Sequence, residues 1–264
     1  MGASGCYSAN VFAAARTSML HIGFQVALFF VSILAAAIAG ISGFGIGSLL
    51  TPLLASALGM KLAVALISIP HLLATALRFW GLRQYVDRRV LLHFGLLSAA
   101  GGLLGALFQS RANSPMLTLL FGLLLLFVGI SALAGWTDRM RFHHGTAWVA
   151  GLLSGIFGGL VGNQGGIRSG ALLSFQLNRE TLVATATAIG ILVDFARMPV
   201  YLSAQAQPLA HLWLAILIAS AGCLIGTIWG VRLLARIPRH RYRQALALLI
   251  CLLGLYMSAQ AIHA

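Results

Sequence analysis

The sequence is poor in acidic residues, in lysine and in charge of any kind. Of its 264 residues, only four are Asp or Glu, one is lysine and 8% are charged. A soluble domain needs more charge than this to cover its surface, so the scarcity argues against a soluble protein. The chain is instead 60% hydrophobic, with a mean hydropathy of +0.96, and this composition predicts an integral membrane protein.

The positive charge of the chain is almost entirely arginine. A net charge of +13 would suggest a nucleic-acid partner in a soluble protein, but here no run of basic residues is interleaved with aromatic residues. In a membrane protein, arginine collects in cytoplasmic loops and can also line a path for anions. The charge balance therefore favours a lipid bilayer and a small anion as partners, and no nucleic acid.

Cysteine is also scarce. Cys6, Cys223 and Cys251 are odd in number and widely spaced, which indicates neither a disulfide framework nor a metal site. The sequence has no cluster of metal ligands and no paired nucleophile and base, and this argues against a membrane enzyme. We therefore expect no catalytic residue, no metal and no cofactor.

Two apolar stretches, Gly40–Leu58 and Gly159–Leu177, are interrupted by clustered glycines. Each glycine costs a helix roughly 1 kcal/mol relative to alanine, and backbone groups left unpaired at membrane depth cost several kcal/mol each. Broken helices of this kind are typical of ligand sites, where half-helices present free N–H groups. The alternative is that the glycines only let helices pack closely, but it leaves Asn163, Gln164 and Arg168 unexplained.

The apolar runs predict an all-α polytopic membrane protein built from two repeats. We expect an N-terminal tail at 1–18, a first transmembrane repeat at 19–135, a cytoplasmic connector at 136–145 and a second repeat at 146–264. In each repeat, a broken re-entrant hairpin is followed by three full spans. The full spans are expected at Lys61–Trp80, Val90–Phe108, Pro115–Leu133, Glu180–Leu202, Ala210–Val231 and Arg243–Ile262, and the hairpin arms at His21–Ala39, Ser48–Leu58, Thr146–Leu160 and Ile167–Leu177.

Paired glycines and paired arginines indicate that the second half of the chain repeats the first. The stretch at 100–111 matches the stretch at 221–232 with an offset of 221 − 100 = 121 residues. Around the glycine breaks the offset is 162 − 43 = 119, which places Gly43 on Gly162, Gly47 on Gly166 and Arg78 on Arg197.

Loop charges predict that the two repeats are inverted relative to each other. The loop Gly81–Arg89 carries three arginines, whereas its counterpart Ser203–Pro208 carries no charge. Arg111 stands alone in its loop, whereas the counterpart at 232–243 holds five arginines. Because positive loops mark the cytoplasmic side, corresponding loops face opposite sides of the membrane. This topology places both termini on the periplasmic side of a bacterial inner membrane.

Polar side chains near the breaks are the candidate ligands for a substrate. A charge at the bilayer centre costs about 2.5–3.5 kcal/mol, so an arginine there is either paired or functional. The planar fork of arginine suits an oxyanion, and Asn163 and Gln164 can add neutral donors. The alternative for these arginines is an internal ion pair, since Asp194 precedes Arg197 by three residues, or a side chain that snorkels to the membrane interface. The expected substrate-binding residues are Gly43, Gly45, Gly47, Arg78, Asn163, Gln164, Gly165, Gly166, Arg168 and Arg197.

Two residues are candidates for proton coupling. Asp194 is the stronger candidate, because it is an acid inside a predicted span. His71 lies beside Pro70 in mid-span and can relay protons near neutral pH. For His71 the favoured interpretation is a hydrogen bond to a carbonyl group freed by the proline.

The patterns GISGFGIGSLLTPLL and GLVGNQGGIRSGALL, in a duplicated layout, resemble the TauE/SafE family of sulfite and organosulfonate exporters, also called toluene sulfonate uptake permeases. The resemblance covers roughly residues 20–262. It implies a secondary carrier for small sulfur-containing anions such as sulfite or a sulfonate.

Residues and resemblance together predict a transporter that moves a small sulfur oxyanion by alternating access, with proton coupling as an option. An anion channel and a carrier for another small organic anion, such as a carboxylate, are the alternatives. The substrate, the direction of transport and the oligomeric state, including a homo-oligomer, stay open at this point.

Overall fold

The computed structural model describes residues 21–42, 45–136, 144–230, 232 and 239–263. Within these ranges the chain is almost entirely helical and contains no β-strand, which confirms the all-α prediction. The predicted tail at 1–18, Gly43 and most of the predicted connector lie outside the described residues.

Ten helices of eight residues or more account for most of the described chain, five in each predicted repeat. A π-helical turn, Leu91–Gly95, leads into the helix Leu96–Arg111, and a second one, Gly226–Gly230, follows the helix Trp213–Ile225. The first repeat contains α1 (Ile22–Ser42), α2 (Ile46–Leu58), α3 (Met60–Leu82), α4 (Leu96–Arg111) and α5 (Ser114–Leu133). The second contains α6 (His144–Val161), α7 (Gly165–Leu172), α8 (Arg179–His211), α9 (Trp213–Ile225) and α10 (Arg239–Ile262).

Asparagine caps start two of the long helices. The side chain of Asn113 accepts a hydrogen bond from the backbone N–H of Met116 at the start of α5, and Asn178 does the same for Thr181 at the start of α8. Each cap satisfies a backbone donor that the helix itself leaves free. The sequence therefore fixes where these helices begin.

Six helices in the described part of the chain are long and apolar enough to cross a membrane. They are Ile22–Ile41, Met60–Tyr85, Arg88–Arg111, Ser114–Leu133, Glu180–His211 and Gln244–Ile262. The full span predicted at Ala210–Val231 starts too early, because the apolar helix there begins at Trp213, and its described part, Trp213–Trp229, is shorter than these six. The reason is that α8 continues to His211, so the next helix starts later than expected.

The uncharged loop predicted at Ser203–Pro208 is also wrong, since these residues are helical. Helix α8 runs through them and bends at Gln205, whose φ of −129° and ψ of 21° are not helical. A proline ring clashes with the carbonyl group four residues before it in a regular helix. The bend at Gln205 lets the chain continue past Pro208 as a helix.

The glycine breaks are shorter than predicted. Helix α1 continues through Gly40 to Ser42, and α7 already begins at Gly165, so that Gly165 and Gly166 form its first turn. Glycine costs least at a helix start, where the first N–H groups have no intrahelical partner. Helix α7 ends at Leu172 and does not reach Leu177, since a 3₁₀ turn and a left-handed Gln176 follow it.

Helices of one repeat pack against helices of the other in a reciprocal pattern. Helix α4 of the first repeat packs on α6 of the second, and α9 of the second packs on α1 of the first. A Cβ atom on Gly105 would collide with the carbonyl oxygen of Ile156, and one on Gly226 would collide with that of Ile33. Corresponding glycines therefore make corresponding close helix contacts, and the two repeats interlock.

Corresponding helices α5 and α10 run antiparallel where they touch. Gly122 lies against Ser258, whereas Gly129, farther along α5, lies against Cys251, which comes earlier in α10. The corresponding helices α3 and α8 also pack against each other. Antiparallel counterparts are what an inverted repeat requires. The inverted repeat and its orientation in the membrane stay predictions.

Candidate functional site

The two glycine breaks meet at one cavity in the interior of the protein. A Cβ atom on Gly47 would collide with the carbonyl oxygen of Gly162, so the backbones of the two breaks lie in direct contact. Gly45 and Gly162 have φ angles of 148° and 73°, which side-chain-bearing residues rarely adopt. Glycine is therefore required for the turn in each break and for their close approach.

Two helix N-termini open onto this cavity. The first hydrogen bond of α2 runs from the N–H of Leu49 to the carbonyl of Gly45, and that of α7 from Arg168 to Gln164, both over 3.1 Å. The N–H groups that precede these donors have no partner within their own helix. Both helices thus direct free N–H donors and the positive end of a dipole toward the cavity.

The cavity has a volume of about 30 Å³, about twice what one water molecule needs on the same measure. Its lining combines the backbone of both breaks with polar side chains from α3, α7 and α8. The polar side chains are His71, Thr75 and Arg78 on α3, Asn163 and Gln164 in the second break, Arg168 on α7 and Thr187 on α8.

Arg168 is buried at the cavity with unused hydrogen-bond donors. Its side chain is 5% exposed, and its Nε and Nη1 atoms have no hydrogen-bond partner among the described residues. Its guanidinium lies beside Gly190 of α8, where a Cβ atom would be 3.2 Å from Nη1. Arg168 therefore carries a buried positive charge with no acid in contact in the described part of the chain.

Arg78 presents a second guanidinium to the cavity. Its Nη1 atom donates a hydrogen bond of 3.0 Å to the carbonyl oxygen of Ala39 near the end of α1. Its Nε and Nη2 atoms have no partner among the described residues. These two donors form one edge of the planar group, and that edge can bind an oxyanion with two parallel hydrogen bonds.

Arg197 is satisfied by the protein itself and does not line the cavity. Its Nε and Nη2 atoms lie 3.0 and 2.7 Å from Oδ1 of Asp194, and Nη1 donates to the carbonyl oxygen of Gly158. Arg197 is 1% exposed and Asp194 is fully buried. Arg197 therefore forms the internal ion pair given above as the alternative. Its charge is compensated by Asp194, and the residue does not contribute to the lining of the cavity.

His71 joins the cavity to this ion pair. Its Nδ1 atom lies 2.6 Å from Oδ2 of Asp194, so the favoured interpretation of a bond to a freed carbonyl group is wrong. The reason is that α8 brings the carboxylate directly opposite the histidine ring, where it is the stronger hydrogen-bond partner. Both candidates for proton coupling thus form one hydrogen-bonded pair.

Asn163 and Gln164 differ in how far the protein satisfies them. The Nδ2 atom of Asn163 donates a hydrogen bond of 3.1 Å to Oγ of Ser48, across the two breaks. Gln164 is 3% exposed, and neither polar atom of its side-chain amide has a partner among the described residues. Gln164 therefore keeps a free donor and a free acceptor at the cavity.

The family described as Sulfite exporter TauE/SafE matches residues 28–257, which is most of the chain. The chain belongs to the TauE/SafE family. No curated protein and no solved structure matches it. As a member of this family, the protein is a membrane transporter of the sulfite-exporter type.

The glycines predicted as ligands of this TauE/SafE protein are not all at the cavity. Gly45, Gly47 and Gly165 line it, whereas Gly166 faces Val128 of α5, where a Cβ atom would lie 2.7 Å from Cγ2. Gly43 lies outside the described residues. Gly166 therefore serves the packing of α7 against α5.

Three polar residues of the site were missed by the sequence analysis. Thr75 and Thr187 line the cavity, and Ser48 binds Asn163. Their hydroxyl groups are common in membrane helices and carried no signal of their own. The offset of 119 residues could have singled out Thr75, because it places this threonine on Asp194.

Proposed function

We propose that the protein is a secondary transporter that carries a small sulfur-containing oxyanion, such as sulfite, across a bacterial inner membrane by alternating access. The observation that carries this proposal is the cavity where the two breaks meet, at which Arg78 and Arg168 offer unused donors. Two guanidinium groups and two helix N-termini favour an anion and oppose a cation. The family membership supports sulfur chemistry for the substrate.

The size of the cavity favours a small anion. A cavity of about 30 Å³, with room for about two water molecules, favours a compact pyramidal or tetrahedral oxyanion over an aromatic sulfonate, which needs a wider opening. Backbone N–H groups, the amide of Gln164 and the two arginines surround the anion from several sides. A ligand held this way replaces its lost hydration with fixed donors.

The position of the cavity between the two repeats supports alternating access. One break belongs to each repeat, and Gly47 touches Gly162 where they meet. When one repeat rocks against the other, the cavity opens to one side of the membrane and stays closed to the other. The anion then reaches the cavity from one side and leaves it on the other.

Proton coupling is proposed for the pair of His71 and Asp194. The carboxylate holds Nδ1 of the imidazole, which leaves Nε2 as the ring nitrogen that exchanges protons. His71 also lines the anion cavity, so its charge state changes the field that the anion meets. Uptake of a proton at Nε2 therefore strengthens anion binding, and its release weakens it.

The test uses purified protein in proteoliposomes and measures the uptake of labelled sulfite. Arg168→Gln and Arg78→Gln should each weaken sulfite affinity about ten- to a hundredfold, the cost of losing a charge-assisted hydrogen bond. Arg83→Gln is the matched control, because this exposed arginine stacks on Trp80 away from the cavity. Unchanged affinity in well-folded Arg168→Gln and Arg78→Gln proteins would remove the cavity from the transport path.

The same vesicles separate a carrier from a channel. A carrier saturates with substrate and is stimulated by unlabelled sulfite on the opposite side, whereas a channel shows neither behaviour. Acetate and other carboxylates serve as competitors, and strong competition by them would assign the site to carboxylates.

A further inference from the structure

We infer that the cavity selects its substrate by charge and binds dianionic oxyanions in preference to monoanions of the same shape. This inference rests on the proposed function, because it concerns the same cavity and the same substrate. It adds that the number of negative charges on the anion, and not only its sulfur chemistry, decides what is bound.

Positive charges outnumber negative charges around the cavity. Helix α3 contributes Arg78 and α7 contributes Arg168, and neither has an acid within ion-pair distance among the described residues. Among the described residues, Asp194 of α8 is the acid near the cavity, but Arg197 occupies its Oδ1 atom and His71 its Oδ2 atom. With His71 neutral, the group of Asp194 and Arg197 has no net charge. The cavity then keeps the two positive charges of Arg78 and Arg168.

Leaving these two positive charges uncompensated costs free energy. A buried charge without a partner is strongly unfavourable in the low dielectric of a protein within a bilayer. A monoanion compensates one guanidinium and leaves the other, whereas a dianion compensates both. Since Coulomb interactions are weakly screened at such a site, the second charge contributes directly to affinity.

The unused donors of the two arginines come from different directions. The hydrogen bond from Nη1 of Arg78 to Ala39 fixes the guanidinium, and leaves the edge formed by Nε and Nη2 free. Arg168 offers Nε and Nη1 from a different helix. Two forks on separate helices suit an anion whose charge is spread over several oxygen atoms.

Sulfite and chlorate provide a matched pair for the experiment. Both are pyramidal with three oxygen atoms, but deprotonated sulfite carries two charges and chlorate one. Selenate and perchlorate form a second pair, tetrahedral in shape, with the same difference in charge. Affinities are measured by calorimetry on the purified full-length protein, at a mildly alkaline pH where sulfite is deprotonated.

In the wild-type protein, sulfite should bind at least about tenfold more tightly than chlorate, and selenate at least about tenfold more tightly than perchlorate. In Arg168→Gln, the ratio within each pair should fall toward one, because sulfite loses affinity and chlorate loses little. Arg83→Gln should keep the wild-type ratios. The wild-type comparison needs no variant, so it decides the question even if Arg168→Gln folds poorly.

The outcomes separate this inference from the proposed function. Equal affinity for sulfite and chlorate in a protein that still transports sulfite overturns selection by charge and leaves the transporter intact. A preference for dianions that persists unchanged in folded Arg168→Gln also overturns it, because the second guanidinium would then play no part. Failure of the wild type to bind or transport any of the four anions would overturn the proposed function itself.

Discussion

Arg78 and Arg197 occupy corresponding positions in the two repeats, but the protein uses them differently. Arg78 donates to the carbonyl of Ala39 and Arg197 to that of Gly158, and these acceptors are also 119 residues apart (158 − 39). Each arginine thus ties its long helix to the first helix of its own repeat, beside the break. Beyond this shared contact, Arg197 is neutralised by an acid, whereas Arg78 keeps two unused donors.

The difference comes from the residue three positions earlier. The second repeat has Asp194 there, and the first has Thr75, which is buried and cannot neutralise Arg78. A similar exchange occurs one turn away, where His71 of the first repeat corresponds to Gly190 of the second. The missing side chain at Gly190 leaves room for the guanidinium of Arg168. One scaffold therefore has an ion-paired arginine in one repeat and an arginine with unused donors at the cavity in the other.

The comparison requires that the two repeats are inverted, and cysteine labelling tests this in an all-or-none way. Gln84→Cys and Ala204→Cys each place a thiol at an exposed position of corresponding segments. With the three native cysteines replaced, we expect Gln84→Cys to react from the cytoplasm and Ala204→Cys from the periplasm. Reaction of both from the same side would make the repeats parallel and end the comparison.

Removing the structural arginine should have the largest effect on stability. Arg197→Gln leaves the buried carboxylate of Asp194 without its main partner, which costs about 3 kcal/mol, the lower end of the usual range, because His71 still contacts it. The melting temperature and the monodisperse fraction in detergent measure this loss. Arg78→Gln is the matched control and should melt near the wild type, since it removes a charge that has no acid partner in the described residues.

A double substitution checks the cause. Arg197→Gln combined with Asp194→Asn removes both charges, and should recover most of the lost stability. An Arg197→Gln protein as stable as the wild type would show that the ion pair contributes nothing to folding.

The sequence was sufficient to predict the helical class and to single out several polar residues that line the cavity. Asn163, Gln164 and Arg168 stand out as polar residues beside a glycine break, and the structure places all three at the cavity. Local sequence is enough to identify these three residues, because a polar group at membrane depth is costly however the helices pack against one another. The offset of 119 residues likewise identified Arg78 and Arg197 as counterparts.

What the sequence could not predict was the pairing of charges across helices. His71 and Asp194 are 123 residues apart in the chain (194 − 71), and their contact depends on how α3 packs against α8. Whether Arg197 faces the cavity or an acid is decided by the same packing. The extension of α8 beyond Leu202 was also missed, since the bend at Gln205 that accommodates Pro208 has no local signature.

Giving the first repeat the acid of the second should abolish most anion binding. Thr75→Asp places a carboxylate three residues before Arg78, the spacing that Asp194 has to Arg197. The new ion pair should occupy the free edge of Arg78 and lower sulfite affinity up to about a hundredfold, while the protein folds normally. Calorimetry and proteoliposome uptake measure the loss.

Thr75→Asn separates charge from shape in this experiment. Asparagine matches the size of aspartate but carries no charge, so it should bind sulfite within a fewfold of the wild type. Wild-type affinity in a folded Thr75→Asp protein would show that Arg78 is not a ligand, and that the two arginines differ in partner but not in function.

The smallest effect is expected for a substitution at Gly190, the residue of the second repeat that corresponds to His71. In Gly190→Ala the added Cβ atom would lie 3.2 Å from Nη1 of Arg168, closer than an ordinary contact, so the guanidinium must shift by a few tenths of an ångström. Alanine favours the helix relative to glycine, so folding should not suffer. A displaced guanidinium keeps its charge and loses only the best geometry of its hydrogen bonds to the anion. We therefore expect sulfite affinity to fall by a fewfold, much less than in Arg168→Gln.

Gly170→Ala on α7 is the control, since a Cβ atom there meets no other group within 4 Å. The effect of Gly190→Ala must also act through Arg168 if the comparison between the repeats is correct. Gly190→Ala should then change nothing further in the Arg168→Gln background, where the displaced group is absent. If the two losses of sulfite affinity simply add in the double variant, Gly190 affects the cavity by another route. The absence of a side chain at this position would then not be what makes room for Arg168.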